Sequence, residues 1–290
     1  MQRKTPAHPC VIHRALLAAT VLLSVLWAGV ARPQMPGPGT GVASTPFQQG
    51  MAAVRRGDYP AAIAAWRPLA EAGDSNAQNN LGVMYEKGQG VEPDMAQAFQ
   101  WYRRAAEAGN AAAQNNLGVM YERGQGTARD TAQAAQWYLR AANRNNRDAQ
   151  NNLGVLHERG DGVAQDMAAA LKYYREAANA GHAPAQNNLG VLYQRGRGVA
   201  QDYVMARQLF TRAAQQGHAL AQNNLGYMVA SGLGGPADVV QANFWFTLSA
   251  AGGNTNGALN RDATTRRLND AQRDQVERML AEWKAKNPAK

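Results

Sequence analysis

The residues of this chain that could do chemistry recur at one interval. Asp94, Asp130, Asp166, Asp202 and Asp238 lie 36 residues apart, and carboxylates in series suggest acid–base work. Each stands where a helix must begin, however, and there an aspartate accepts a hydrogen bond from the free amides of the first turn. Gln97, Gln133 and Gln241, three positions on, predict a capping box in three of the five copies. The glycine pairs Gly88/Gly90, Gly124/Gly126, Gly160/Gly162, Gly196/Gly198 and Gly232/Gly234 invite comparison with a phosphate loop. They follow a helix rather than a strand and lack the third glycine and the lysine, so they read as left-handed helix caps with a turn. His157, His182 and His218 are not spaced as metal ligands; the last two follow the glycines Gly181 and Gly217. The sequence holds no G-x-S-x-G elbow and no Ser-x-x-Lys set. The expectation is a chain with no catalytic residues, no cofactor and no metal.

What positions these residues is a repeat. Ala77, Gln78, Asn79, Asn80, Leu81 and Gly82 return unchanged from Ala113, Ala149, Ala185 and Ala221, always 36 residues on. A period without slippage means one supersecondary unit stacked on itself. In each unit a first helix, about Asn76 to Lys87 in the first copy, places Ala77, Leu81, Met84 and Tyr85 on one stripe at ~100° per residue. Gly82 lies beside that stripe. Glycine costs a helix about 1 kcal/mol against alanine, so its return as Gly118, Gly154, Gly190 and Gly226 predicts a neighbouring helix too close for a Cβ. A second helix starts at Asp94 and carries Ala98, Trp101, Tyr102, Ala105 and Ala106 on its apolar face, with equivalents through Trp245 and Phe246. These aromatics read as core packing between alanines rather than as a sugar or base platform. Gly109, Gly181, Gly217 and Gly253 close the second helices, and Asn145 stands in once, as the usual second choice for a left-handed cap.

The ends differ from the middle. Arg3, Lys4 and Arg14 precede an apolar run from Ala15 to Val30, with small residues at Gly29 and Ala31. This reads as a signal peptide over residues 1–31, cut after Ala31, because the run is shorter than the ~20 residues of a spanning helix. Cys10 is the only cysteine and would leave with it, so no disulfide or thiolate metal site is expected. Of the net charge of +9, those three basic residues supply three, which leaves the remainder near +6. Scattered over helical faces and mixed with acids, this charge points to solubility rather than nucleic acid binding. Residues 32–46 are a flexible spacer rich in proline and glycine. In residues 47–76, Gly57, Asp58, Tyr59 and Pro60 make a tighter turn; Pro60 suits a first helical position and Pro68 is expected to kink its helix.

The string A-x-x-x-L-G-x-x-Y, G-x-G, D, A-x-x-W-Y-x-x-A-A and G resembles the Sel1-like repeat, a relative of the tetratricopeptide repeat with a longer loop between its helices. The resemblance covers five copies over residues 77–253. It implies an all-α fold, a right-handed α-solenoid of Sel1-like, tetratricopeptide-like helix-turn-helix repeats. Residues 47–76 then form an atypical first hairpin. In residues 254–290 Arg261 stands where leucine is expected, and a last helix from Asn269 shows Val276, Met279, Leu280 and Trp283 among charges, as suits a terminal cap.

Members of this family mostly hold or regulate other proteins. That implies an exported, periplasmic or secreted, interaction scaffold binding a partner polypeptide on the concave face lined by first helices. Opposite Leu81 lie Asn79, Val83 and Glu86. The amide positions repeat as Asn115, Asn151, Asn187 and Asn223, and the apolar ones as Val119, Val155, Val191 and Tyr227. An amide offers a donor and an acceptor, as an extended peptide backbone requires; equally, the asparagines could solvate the face or bond neighbouring helices. Asparagine is a poor helix former, so something other than helicity keeps it there. Two other roles follow from the family. One is a purely structural cell-envelope component. The other is β-lactam binding or hydrolysis, seen in cysteine-rich relatives, against which stand the missing paired cysteines and catalytic motifs. No nucleic acid partner, and no membrane association after signal cleavage, is expected.

Overall fold

The computed structural model describes residues 44–287. Among these residues the chain forms fourteen helices and no strand. The first hairpin is α1 (Pro46–Arg55) and α2 (Tyr59–Glu71). Five like pairs follow. They are α3 (Ser75–Lys87) with α4 (Met95–Glu107), α5 (Ala111–Arg123) with α6 (Thr131–Ala142), and α7 (Arg147–Arg159) with α8 (Met167–Asn179). Next are α9 (Ala183–Arg195) with α10 (Tyr203–Gln215), and α11 (Ala219–Ala230) with α12 (Val239–Ala251). α13 (Thr255–Thr265) and α14 (Asp270–Lys286) complete the described chain. Helices of this length are marginal alone in water, so their stability comes from the faces they bury on their neighbours.

The core runs as a series of clusters along the stack. Leu81, Leu117, Leu153, Leu189 and Leu225 are all buried, and so are the aromatics Tyr102, Tyr138, Tyr174, Phe210 and Phe246. These two sets meet at the recurrent glycine. A Cβ built on Gly118 would lie 2.6 Å from Tyr138 Cε1, and Gly82 stands in the same relation to the Tyr102 ring. The ring is wedged against bare helix backbone, which is why the motif tolerates a poor helix former there.

The glycine pairs divide their work. Gly88, Gly124, Gly160 and Gly196 adopt left-handed φ of 64° to 76° and end the first helices. The second glycine of the pair solves a different problem: Gly126, Gly162 and Gly234 lie against the backbone of Met95, Thr131 and Tyr203 at the start of the preceding second helix. The loop of each repeat thus seats on its predecessor. Asn145, with φ of 60°, is the non-glycine residue at positive φ among the described residues.

All five aspartates cap. Asp94, Asp130 and Asp202 each accept one first-turn amide, and Asp166 and Asp238 accept two. The expected capping boxes are absent. The reason is that the backbone N–H of the capping aspartate is already committed: Asp94 donates to the Tyr85 carbonyl at 3.0 Å, Asp130 to Tyr121 at 2.9 Å and Asp238 to Val229 at 3.1 Å. Gln97, Gln133 and Gln241 find no donor to accept from. Complete boxes occur instead at Thr45 with Gln48 and at Asn269 with Gln272. α2 continues through Pro68 to Glu71.

At the far end α14 lays Val276, Met279, Leu280 and Trp283 on the last repeat. Trp283 meets Phe244 and Trp245 edge-on, with centroids 6.0 and 5.6 Å apart.

Leu117→Ala, which opens a cavity at a fully buried position, is expected to lower unfolding free energy by about 2–5 kcal/mol in chemical denaturation. Gly118→Ala is the sharper test. Helix propensity alone favours alanine by about 1 kcal/mol, yet the Tyr138 ring leaves no room, so the variant should melt below the parent. Melting at or above the parent temperature would show the ring is free to move.

Candidate interaction face

The first-helix asparagines are built from residues local to each helix but are joined across repeats. Asn116 Nδ2 donates to Asn79 Oδ1 at 3.2 Å, and Asn152 to Asn115 at 3.2 Å. Asn188 donates to Asn151 at 3.0 Å, Asn224 to Asn187 at 2.9 Å and Asn260 to Asn223 at 2.9 Å. Each rung links residues 37 apart, so the second asparagine of one repeat holds the first asparagine of the repeat before. The ladder starts where Asn80 meets Met51 Sδ at 3.9 Å and ends where Leu259 occupies the first-asparagine position in α13.

Sequence reasoning placed Asn79, Asn115, Asn151, Asn187 and Asn223 on an outward face with bonding to neighbouring helices as the alternative, and each one accepts such a bond. Asn151 and Asn187 are in fact buried, at 8% and 6% exposed; the other three are half-buried. The carbonyl of each is spent on the next repeat. At Asn79, Asn115 and Asn223 the rung still leaves an amide NH2 on the first asparagine, whereas Asn187 Nδ2 donates on to Asn188 Oδ1 at 3.5 Å. Beside the rungs, Val83, Val119, Val155 and Val191 are half-buried, and Tyr227 is 51% exposed. Leu259, at 64%, adds a second exposed apolar group in register with the ladder. A shallow pocket of about 190 Å³ opens between Val155, Val191 and Asn188, with Glu158 and Tyr174 behind it.

The glutamates on this face are committed inward. Tyr102 donates to Glu86 at 2.6 Å, Tyr138 to Glu122 at 2.7 Å and Tyr174 to Glu158 at 2.8 Å. Burial, then the neighbouring carboxylate, pushes all three phenols far above their ordinary range. The pairing was visible in the sequence: where phenylalanine replaces tyrosine, at Phe210 and Phe246, the glutamate is also replaced, by Gln194 and Ala230. The motif glutamines are equally structural. Gln78, Gln114, Gln186 and Gln222 are buried and donate to the carbonyls of Ala70, Ala106, Ala178 and Ala214 in the last turn of the preceding second helix. Gln150 instead reaches Glu176 at 3.3 Å.

Two of the histidines are caps. His182 Nδ1 accepts the Ala185 amide at 3.3 Å, and His218 Nδ1 accepts that of Ala221 at 3.2 Å. His182 Nε2 lies 2.9 Å from Asp148 Oδ1. An Nδ1 acceptor requires the neutral ring, and a helix N-terminus disfavours added positive charge. Burial holds both imidazoles below the ordinary value of 6.5; Asp148 opposes this at His182, while Arg147 adds to it there and His182 adds to it at His218. Among the described residues no cluster of His, Cys, Asp or Glu is grouped to hold a metal ion, and no helix is long and apolar enough to cross a membrane.

The Sel1 repeat family matches residues 75–110, 111–146, 147–182, 183–218 and 219–254. No curated protein matches the chain. Among solved structures it is similar to a Sel1 repeat protein from Oxalobacter formigenes, at 34% identity and TM-score 0.68, covering 74% of this chain and 85% of that one. It is similar too to c5321, a protective antigen present in uropathogenic Escherichia coli strains, at 34% identity and TM-score 0.66. That match covers 82% of this chain and 53% of the antigen, so this chain spans about half the antigen's length. Immunity protein Pa5087 from Pseudomonas aeruginosa shares the fold at 22% identity and TM-score 0.50, over 72% of this chain and 84% of that one.

The caps predict a pH dependence. The folded-state pKa of His182 and His218 is lowered, so on acidification the unfolded chain binds protons first and stability falls as pH drops below about 6.5. Asparagine holds the same position at Asn110, Asn146 and Asn254. His182→Asn with His218→Asn should keep the caps and flatten the loss of melting temperature between about pH 7 and pH 5. An unchanged slope would place the titration elsewhere.

Proposed function

The chain belongs to the Sel1 repeat family, and from that premise we propose that it is an exported scaffold. In this reading it holds an extended segment of a partner protein along the face of α3, α5, α7, α9 and α11, and it acts by binding rather than catalysis. The observation that carries the reading is the exposure pattern of that face: half-buried amides at Asn79, Asn115 and Asn223, a half-buried valine strip, and the exposed Tyr227 and Leu259 at one end. Extended backbone advances about 3.3 Å per residue, and packed helices stand about 8–10 Å apart. A bound strand therefore meets one rung roughly every three residues. Exposed aromatic anchors of this kind carry a large share of binding energy where they occur.

The rungs join consecutive repeats as well, so their removal would confound folding with binding; Val119, Val155, Val191 and Tyr227 are the cleaner probes. Export is supported by the basic start, apolar run and small residues before Arg32, which lie outside the described residues. Catalysis is disfavoured by the commitment of the recurrent aspartates and two histidines to helix caps.

A photo-crosslinking amino acid at Tyr227, Val191 or Val155 should capture one and the same partner from cells. The same group at the exposed Glu107, on a second helix, should not. Tyr227→Ala should weaken that partner's binding about tenfold or more, with circular dichroism unchanged. Capture from Glu107 alone, or undiminished binding by Tyr227→Ala, would refute the assignment of the face. N-terminal sequencing of the exported chain should begin at Arg32.

A further inference from the structure

The 36-residue period breaks at several positions of one junction together. In the first repeat Phe99 of α4 meets Tyr121 of α5 edge-on, with centroids 5.3 Å apart. One repeat later those two positions hold Ala135 and His157. At two other junctions an arginine on the preceding helix reaches the tyrosine hydroxyl, Arg67 to Tyr85 at 3.0 Å and Arg175 to Tyr193 at 3.3 Å. At this junction the arginine is Leu139. A ring, a phenol and a cation are thus all missing from one place.

The result is a pocket of about 320 Å³ between α6, α7 and α8, walled by Ala135, Leu139, Leu153, His157, Val163 and Tyr173. His157 stacks on Tyr173 with centroids 5.8 Å apart and planes 17° from parallel. Its Nδ1 is buried without a hydrogen-bond partner, so stacking rather than hydrogen bonding holds the ring. Leu139, 42% exposed, forms the rim, and the exposed Gln136 stands beside it.

We propose that this pocket receives the aromatic side chain of a partner polypeptide. The same place one repeat earlier is filled by the chain's own phenylalanine, so its outline already suits a ring. The walls are apolar and include two stacked aromatic faces, which a third ring meets edge-on or offset. Water gains few hydrogen bonds in such a cavity. Leucine in place of arginine at the rim adds apolar surface where a solvated charged head would otherwise stand. Gln136 offers a donor and an acceptor to the backbone flanking an inserted side chain. A polypeptide is therefore favoured over a free ring. Within this chain, residues 1–43 contain one aromatic, Trp27, inside the expected signal peptide. The pocket shares no residue with the first-helix face, so the two assignments stand or fall separately.

Methyl-labelled full chain can be titrated with N-acetyl-L-phenylalaninamide, with N-acetyl-L-alaninamide and with toluene. Saturable shifts at the Leu139, Leu153 and Val163 methyls with the phenylalanine amide, and none with the alanine amide, are expected. Ala135→Phe, which restores the ring found at Phe99, should fold at least as stably as the parent and bind the probe at least tenfold more weakly. Leu139→Arg, a surface change, should also weaken it should Ala135→Phe fail to fold. Tyr227→Ala should leave these shifts untouched. No saturable shift in the parent, undiminished shifts in the filled variant, or binding of toluene without the phenylalanine amide would overturn the proposal, the last by marking a site for small free molecules.

Discussion

Everything in this array depends on how closely a second-helix aromatic approaches the backbone of the first helix it packs on. At Gly82, Gly118, Gly154, Gly190 and Gly226 no Cβ intervenes, and the ring of Tyr102, Tyr138, Tyr174, Phe210 or Phe246 lies directly on the helix. Helix propensity is given up at five sites for that contact. In return the two helices of each repeat lock at one separation and angle. Because each unit repeats the same lock, small geometric relations carry from one end of the stack to the other. The asparagine rungs, the seated loops and the buried glutamines are consequences: each needs its partner repeat at a fixed distance and register.

This explains why polar residues in the motif contribute so little available chemistry. In a repeat stack every helix end faces a neighbour, and unsatisfied amides and carbonyls must find partners there. The aspartates take the first-turn amides, the glutamines take the last-turn carbonyls, and the asparagines bridge successive first helices. A residue type that in another fold signals acid–base or ligand chemistry is here consumed by the backbone. Apart from the valine strip, the side chains free of that duty stand out where the sequence departs from the repeat. Tyr227 in place of valine, Leu259 in place of asparagine, and the Ala135, Leu139 and His157 group are such departures.

The ends of the array are where the repeat logic must stop, and the chain stops it in two ways. At the start, α1 and α2 have no asparagine to offer, and Met51 takes the first rung with its thioether. At the finish, Asn260 completes the last rung while α14 covers Phe244 and Trp245 with Trp283. The α14 cover spares the last repeat an exposed apolar face, the requirement any stacked architecture places on its termini.

The amino-acid sequence by itself determined the helices, their caps, the repeat length and the buried leucine and aromatic stripes. Those features follow from the periodicity of one helix or from hydrogen bonds within four residues, and both are local. The close approach at Gly118 was legible too, because a glycine kept inside a helix needs a neighbour to explain it. Only the tertiary structure decided the rest. Whether Asn79 faces a guest or Asn116 depends on the offset between helices one repeat apart. The missing capping boxes depend on a carbonyl contributed by the preceding helix. The pocket at Ala135 and His157 exists because two unremarkable substitutions on different helices fall at the same junction. Each of these turns on the relative placement of segments that no local pattern encodes, since side chains 22 or 37 residues apart meet only after the backbone locks have set the stack.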